Sequence, residues 1–452
     1  MSLDVIILAA GQGSRMRSKR PKVLHGIGGK PMVAHVIDAA QALSETQVHV
    51  VVGHGADQVQ AALSERAVNF AHQAEQKGTG HAVAQALPLV GDGPVLVLYG
   101  DVPLIATDTL VALVGGVSAK TLSLLTVDMN DPKGYGRITR DTSGRVTGIV
   151  EEKDANEAQR KITECNTGIL ATTGAQLKRW LPALSSDNAQ GEYYLTDIIA
   201  MAAGEGVEVV THHPQRPQEV QGVNDRVQLA TLERHYQQQQ VEAVMRAGAT
   251  VMDPARIDIR GTLDVGQDVL LDVGCVFEGH VVLGDNVTVG PGCVIRNAEV
   301  GDGATIEAYS VIEGASTADN TTVGPFARLR PGATLAAGAR VGNFVEIKNA
   351  QVGEGAKVNH LSYIGDAEIG ARTNVGAGTI TCNYDGANKY RTVMGENAFI
   401  GSNTALVAPV TVGAGATIAA GSTITRDVPD NTLTIARARQ VEVEGWERPR
   451  KK

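Results

Sequence analysis

"VLLDVG CVFEGH VVLGDN VTVGPG CVIRNA", residues 269–298, breaks into blocks of six. The blocks run on as "EVGDGA TIEAYS VIEGAS" and return later as "VGEGAK", "IGARTN VGAGTI" and "TVGAGA TIAAGS TITRDV". An aliphatic residue recurs at the sixth position, usually followed by glycine and small polar residues. This period is the signature of a parallel β-helix. Three blocks form one triangular coil, with the aliphatic side chain inward and small residues at the corners. Residues 251–436 supply about ten such coils. A flexible glycine-rich linker would show no fixed period. The period fails at "TCNYDGANKYRT", residues 381–392, so these residues should loop out of the prism on a binding face. A second irregular patch, "VGNFVEIKNAQ" and "VNHLSYIGD", presents Lys348, His360 and Tyr363 where a regular coil would not.

Upstream of the coils, "RVQLATLERHYQQQQVEAVMRA" places Leu229, Leu232, Tyr236 and Val244 at helical spacing, which predicts one long connecting helix. Before about Val223, short apolar runs such as "DVIILAA", "VHVVVG", "PVLVLYGD" and "LSLLTVD" alternate with amphipathic stretches. That pattern predicts a doubly wound, Rossmann-like α/β sheet of buried parallel strands, with ligands beyond the strands' carboxyl ends. The expected organisation is residues 1–225, a linker helix over 226–248, and a β-helix with a tail over 249–452.

Bulk properties narrow the function. At 452 residues the chain is too long for one ordinary core. The formal net charge of −9 argues against nucleic acid as a partner. Cys165, Cys275, Cys293 and Cys382 show no metal-finger or redox spacing, which suits a reducing cytoplasm. The amino-terminal run is too short for a signal peptide, and no apolar stretch has membrane-spanning length.

The loop after the first strand, "LAAGQGSRMRSKRPKVL" (residues 8–24), carries Arg15, Arg17, Lys19, Arg20 and Lys22 and is suited to phosphate. It is no P-loop. It is no dinucleotide fingerprint either, because Met16 stands where a third glycine should pack. The bland alternative is a solvated basic loop.

This loop, together with "EQKGTGHAV", "YGDVPL", "GYGRI", "VEEKDA", "NTGIL", "GVND", "GPFARLRPG", "GNFVEIK", "NHLSYIGDAEIG", "GAGTITCNYDG" and "ARA", forms an ordered set along nearly the whole chain. The set resembles the bifunctional bacterial N-acetylglucosamine-1-phosphate uridylyltransferase and glucosamine-1-phosphate acetyltransferase family. The resemblance implies that the β-helix is left-handed and that the chain is a homotrimer. It also implies UTP and acetyl-CoA as substrates and Mg²⁺ as cofactor.

At the first site the resemblance places Leu8, Ala9, Ala10 and Gly11 around the nucleotide, with Arg15 and Lys22 as catalytic cations on its phosphates. Gln73, Gly78 and Thr79 match positions that read uracil. Tyr99, Gly100 and Asp101 follow the "VLVL" strand, and Asp101 with Asn224 would hold the metal. Gly136, Glu151 and Asn166 match sugar-side positions. At the second site His360 would be the general base that takes the ammonium proton. Arg330 and Lys348 would hold the sugar phosphate, while Tyr363 and Asn374 bond the sugar. Asn383 and Tyr384 would complete the sugar and acetyl pocket, and Ala377, Ser402, Ala420 and Arg437 match the acetyl-CoA track. Two other readings stay open on the residues: a single-activity sugar-1-phosphate nucleotidyltransferase with a structural or regulatory β-helix, and a regulatory subunit without catalysis.

Overall fold

The computed structural model describes residues 2–451 as two compact units that divide between Tyr236 and Gln237. The long helix Arg226–Ala247 therefore contributes residues to both.

In the first unit a sheet runs in the order Glu208–His212, Thr121–Asp128, Glu164–Thr173, Pro94–Tyr99, Leu3–Leu8, Thr46–Val52, Asn69–His72. Three of the strands read as buried and parallel lie side by side: Leu3–Leu8 is fully buried and pairs in parallel with both Thr46–Val52 and Pro94–Tyr99, while Thr121–Asp128 stands apart, next to the edge strand. The sheet is mixed, however. Glu164–Thr173 runs antiparallel to both of its neighbours. Helices Met32–Gln41 and Thr79–Ala86 bury apolar faces against the sheet in separate core clusters. Met16 is buried with Ile27, Met32, Val223 and Leu232, so it anchors the phosphate-type loop by packing rather than by starting a helix.

In the second unit successive strands stack in parallel. One face holds eleven of them among the described residues, from Ala249–Val251 to Leu433–Thr434. Many six-residue blocks point two side chains inward: a small one, such as Cys293, Ala304, Ala327 or Thr373, and two positions on a larger one, such as Ile295, Ile306, Leu329 or Val375; others, such as Val287 with Val289, bury two aliphatic side chains. The small residues thus fill the core as well as the corners. The period is not strictly six. Val276 pairs with Val294 and Val294 with Val311, so one coil is a residue shorter than the coil before it. The deletion falls at Asn297, whose φ of 44° lets the chain turn the corner with one residue fewer. The buried amide of Gln237 bonds both the N–H and the C=O of Ile259, satisfying backbone near the start of the coils. Between strands Ile380–Cys382 and Thr392–Met394 the chain leaves the prism, and the loop is tied by a bridge between Tyr384 and Lys389.

Candidate active sites

A cavity of about 310 Å³ opens where the strands ending at Leu8 and Tyr99 stop. Leu8, Ala9, Ala10, Gly11, Lys22, Gln73, Gly78, Thr79, Tyr99 and Asp101 all line it, joined by Val23, Gln76, Ala82 and Glu192, which the sequence did not single out. Gly100 stands just behind, donating its N–H to Leu8 O at 2.9 Å. Two glycines shape the loop at this cavity, Gly11 in its wall and Gly13 behind it. At Gly13 a Cβ would sit 2.6 Å from Lys22 Cβ, so the two limbs of the loop close only around a glycine. At Gly11 a Cβ would meet no protein atom within 4 Å. The fold does not require Gly11 to be bare, whereas a ligand lying over it would.

Lys22 and Asp101 form an ion pair, and the Lys22 ammonium also lies 3.4 Å from Asn224 Oδ1. Arg15 Nη2 donates to the same amide oxygen at 2.9 Å. The backbone makes this meeting possible, because Val223 N–H donates to Asp101 O at 2.9 Å. The Lys22 ammonium thus lies against both oxygen donors, which are far apart in the chain. Hard oxygen donors of this kind suit Mg²⁺, which takes few protein ligands and draws the rest from phosphate and water. Among the described residues no three His, Cys, Asp or Glu side chains gather as a closed metal cage.

The residues expected on the sugar side, Gly136, Glu151 and Asn166, lie near Tyr99. Glu151 accepts a hydrogen bond from Thr196 Oγ1 at 3.0 Å. Burial, with help from Asp197 and Asp154, raises its carboxyl above the ordinary range. A Cβ on Gly136 would press to 2.9 Å from Ile149 and 3.4 Å from both Glu151 oxygens. Asn166 is buried, receives Gly168 N–H on its side-chain oxygen at 3.0 Å, and donates its own N–H to Gly136 O. Burial, then Glu151 and Asp101, holds the Tyr99 phenol strongly protonated.

In the second unit the site is a corner rather than a cavity. His360 ends strand Lys357–His360, in register with Asn343 on the preceding coil. Its Nδ1 lies 2.7 Å from Asn343 Oδ1. An acceptor there places the ring proton on Nδ1 and leaves Nε2 as the basic nitrogen. On the following coils the same corner carries Ala377, Ser402 and Ala420. Gly378 N–H donates to His360 O, Asn403 N–H to Ala377 O, and Gly421 N–H to Ser402 O, each linking one coil to the next. Arg437 closes the series by donating to Ala420 O at 2.6 Å. From His360 to Arg437 this column spans four coil rises, about 19 Å.

Around the corner from His360, Lys348 lies against Lys389, which lowers the Lys348 pKa; Arg330 adds to the effect. Arg330 itself is paired with Glu346 at 2.8 Å. Crowded cations of this kind make a site for an anion. A Cβ on Gly365 would meet both the Tyr363 hydroxyl and the Asn383 amide, so that glycine lets the two approach. Asn383 also donates to Asp366, while Tyr384 is exposed on the loop. Asn374 lies apart from Arg330, Lys348 and Tyr363. Its register partner is Lys357, on the same sheet as His360.

Residues 5–133 match the family model for MobA-like NTP transferase domains. Residues 264–297 and 391–426 match the model for bacterial transferase hexapeptide repeats. The chain is 60% identical over 450 residues to the bifunctional protein GlmU of Marinobacter nauticus, covering 99% of both chains. It is 64% identical over 451 residues to that of Chromohalobacter salexigens, covering 100% of both. The chain belongs to the bifunctional GlmU family. In this GlmU-family chain the sequence reading overlooked Asn343, Thr196 and Lys389. Asn343 and Lys389 lay inside quoted motifs, yet only the stacking of coils brings them to His360 and Lys348. Among the described residues no helix is long and apolar enough to cross a membrane.

Proposed function

We propose that the chain is a bifunctional transferase that makes UDP-N-acetylglucosamine in two steps. The β-helix transfers acetyl from acetyl-CoA to glucosamine-1-phosphate. The first unit then joins UTP and N-acetylglucosamine-1-phosphate and releases pyrophosphate. The observation that carries the reading is that one chain holds both a phosphate-type cavity with a paired cation and oxygen set and a histidine-headed corner column.

In the uridylyl step the sugar phosphate attacks the α-phosphorus and pyrophosphate leaves in line. No protein nucleophile is needed, so positioning and charge neutralisation do the work. Asp101 and Asn224 would hold Mg²⁺, which when bound supplies charge neutralisation on the phosphates. Lys22 and Arg15, now on Asp101 and Asn224, are within reach of the same phosphates once those oxygens have a metal to bind. Gly11 lets the loop backbone approach them. Glu151, Asn166 and Gly136 hold the sugar.

In the acetyl step His360 Nε2 takes the proton from the ammonium of glucosamine-1-phosphate, the amine attacks the thioester carbonyl, and the CoA thiol leaves. Arg330, Lys348 and Lys389 hold the phosphate. The coenzyme lies along Ala377, Ser402 and Ala420, whose small side chains permit close approach, with Arg437 at the far end.

We also read the working form as a cytoplasmic homotrimer. His360 is exposed on an open corner. Beside it Tyr309, Phe326 and Phe344 stack with ring centroids 5.4 Å apart, and Leu361 follows; all four are exposed. A neighbouring copy would cover this apolar edge and complete the acetyl site.

The test is a single mass-spectrometric assay of the protein with glucosamine-1-phosphate, UTP and Mg²⁺, with and without acetyl-CoA. UDP-N-acetylglucosamine is expected only when acetyl-CoA is present. If that product forms solely from supplied N-acetylglucosamine-1-phosphate, the acetyl half of the reading is wrong.

A further inference from the structure

The amide of Gln73, in the wall of the nucleotide cavity, has a fixed polarity. Its Nε2 lies 3.2 Å from the carbonyl oxygen of Gly78 and 3.1 Å from Nδ1 of His81. A carbonyl oxygen only accepts, so the amide atom facing it must be the nitrogen. Turning the amide over would set oxygen against oxygen. The nitrogen has two hydrogens, and Gly78 and His81 engage both. The one polar atom this buried side chain has left for a ligand is Oε1, an acceptor.

His81 stands in the first turn of helix Thr79–Ala86 and does not line the cavity. With Nδ1 accepting, the proton of the neutral ring sits on Nε2, 3.2 Å from the Gln85 side-chain amide. Gln85 Nε2 also donates to His81 O at 3.2 Å, so its amide stays as it is and, being half exposed, draws back along that bond to leave the His81 Nε2 proton to water, whereas buried Gln73 has no such freedom.

We propose that His81 is a positioning residue for base selection: it engages one amide hydrogen of Gln73 and so holds Oε1 toward the bound base. This rests on reading the cavity as the UTP site. An acceptor in that wall admits a pyrimidine that carries N–H at ring position 3, as uracil does. It rejects cytosine, whose ring nitrogen at that position is bare, because two acceptors then face each other unpaired. Thymine presents the same edge as uracil, so this amide does not exclude it.

The experiment measures kcat/KM for UTP and for CTP, with N-acetylglucosamine-1-phosphate, in the full chain and in His81→Ala and His81→Asn. In Asn the side-chain oxygen stands where Nδ1 stood and can accept the same hydrogen. His81→Ala should lower the UTP-to-CTP ratio about tenfold. The loss with UTP should fall on KM rather than kcat, and His81→Asn should return the ratio to within about threefold of the unaltered enzyme. The ratio is read on residual activity, so a variant that yields less folded enzyme still reports. An unchanged ratio in His81→Ala overturns the proposal, as does an equal loss of kcat with both nucleotides. An unaltered enzyme that makes no UDP-sugar from UTP instead removes the nucleotide site itself, and that is seen before any variant is compared.

Discussion

Gly11→Ala and Gly78→Ala place the same methyl group on two sides of one cavity, and they should fail for opposite reasons. At Gly11 the added Cβ has no protein atom within 4 Å, and the backbone is outside the left-handed region. The folded state loses nothing, and the unfolded chain loses freedom, so stability should hold or rise by roughly 0.4–1 kcal/mol. The methyl instead stands where the nucleotide phosphates should pass. A clash of one methyl costs about 1–3 kcal/mol, so KM for UTP should rise roughly 5- to 150-fold. Gly78 has φ 110° and ψ 174°, a region nearly reserved for glycine, which costs an alanine about 1–3 kcal/mol. Its Cβ would also fall 2.6 Å from Tyr193 O and 2.8 Å from Tyr193 N, and that overlap adds about 1–3 kcal/mol. The sum, roughly 2–6 kcal/mol, is a large share of a typical folding free energy of about 5–15 kcal/mol. Trp180 is buried in the first unit and Trp446 is exposed in the tail, so tryptophan emission in urea follows the first unit. Gly78→Ala should lower that midpoint sharply, Gly11→Ala should not, and acetyl transfer should survive in both. A Gly11→Ala enzyme with normal stability and an unchanged KM for UTP would refute the placement of the phosphates.

Three further outcomes are expected. His360→Ala should cost roughly 10²–10⁴ in acetyl-transfer kcat with uridylyl transfer intact, and Asn343→Ala about 2- to 12-fold; steady-state rates of both reactions decide it, and a fully active His360→Ala sinks the base assignment. Asp101→Ala should abolish Mg²⁺-dependent pyrophosphate release, and release that persists at ordinary Mg²⁺ would count against the metal site. Burial pushes the thiols of Cys275 and Cys293 up to about 11 and about 12. Their folded pKa values thus lie above the unfolded value near 9, so their contribution is complete below that pH and is lost as pH rises toward the folded values, by about 1.4 kcal/mol per group per pH unit within the window. Urea midpoints of the second unit should fall above pH 9 and flatten in Cys275→Ala/Cys293→Ala. At neutral pH a thiol reagent should label half-buried Cys382 well before the three buried cysteines, and equal labelling of all four would contradict the burial.

Much of this architecture was legible because its signals are local and repeated. The six-residue blocks show the coil directly, and the strand ending in Tyr99-Gly100-Asp101 shows where a ligand should sit. What escaped was set by pairing. The apolar run in Glu164–Thr173 is the same for either strand direction, so its antiparallel placement could not be read. The shortened step at Asn297 hides because a polar residue in a left-handed corner looks like any turn residue. Cys293, Ala304 and Thr373 read as corner residues, yet they face inward, since a small side chain carries no mark of the side it faces. Asn343 and Lys389 become partners of His360 and Lys348 only through coil stacking and loop return.

The corner that carries His360, Ala377, Ser402, Ala420 and Arg437 is graduated like a ruler. Its marks are one strand spacing apart, about 4.8 Å, because backbone hydrogen bonds between coils set the interval. Loop insertions do not alter the scale: the chain detours through residues 383–391 between Ala377 and Ser402, yet Asn403 N–H still reaches Ala377 O at 2.7 Å. Only adding or removing a whole coil changes the distance from His360 to Arg437, and it does so in fixed increments. On the proposed reading, the length of acyl carrier this edge would accept is therefore counted in coils, while the loops remain free to vary the chemistry at each mark.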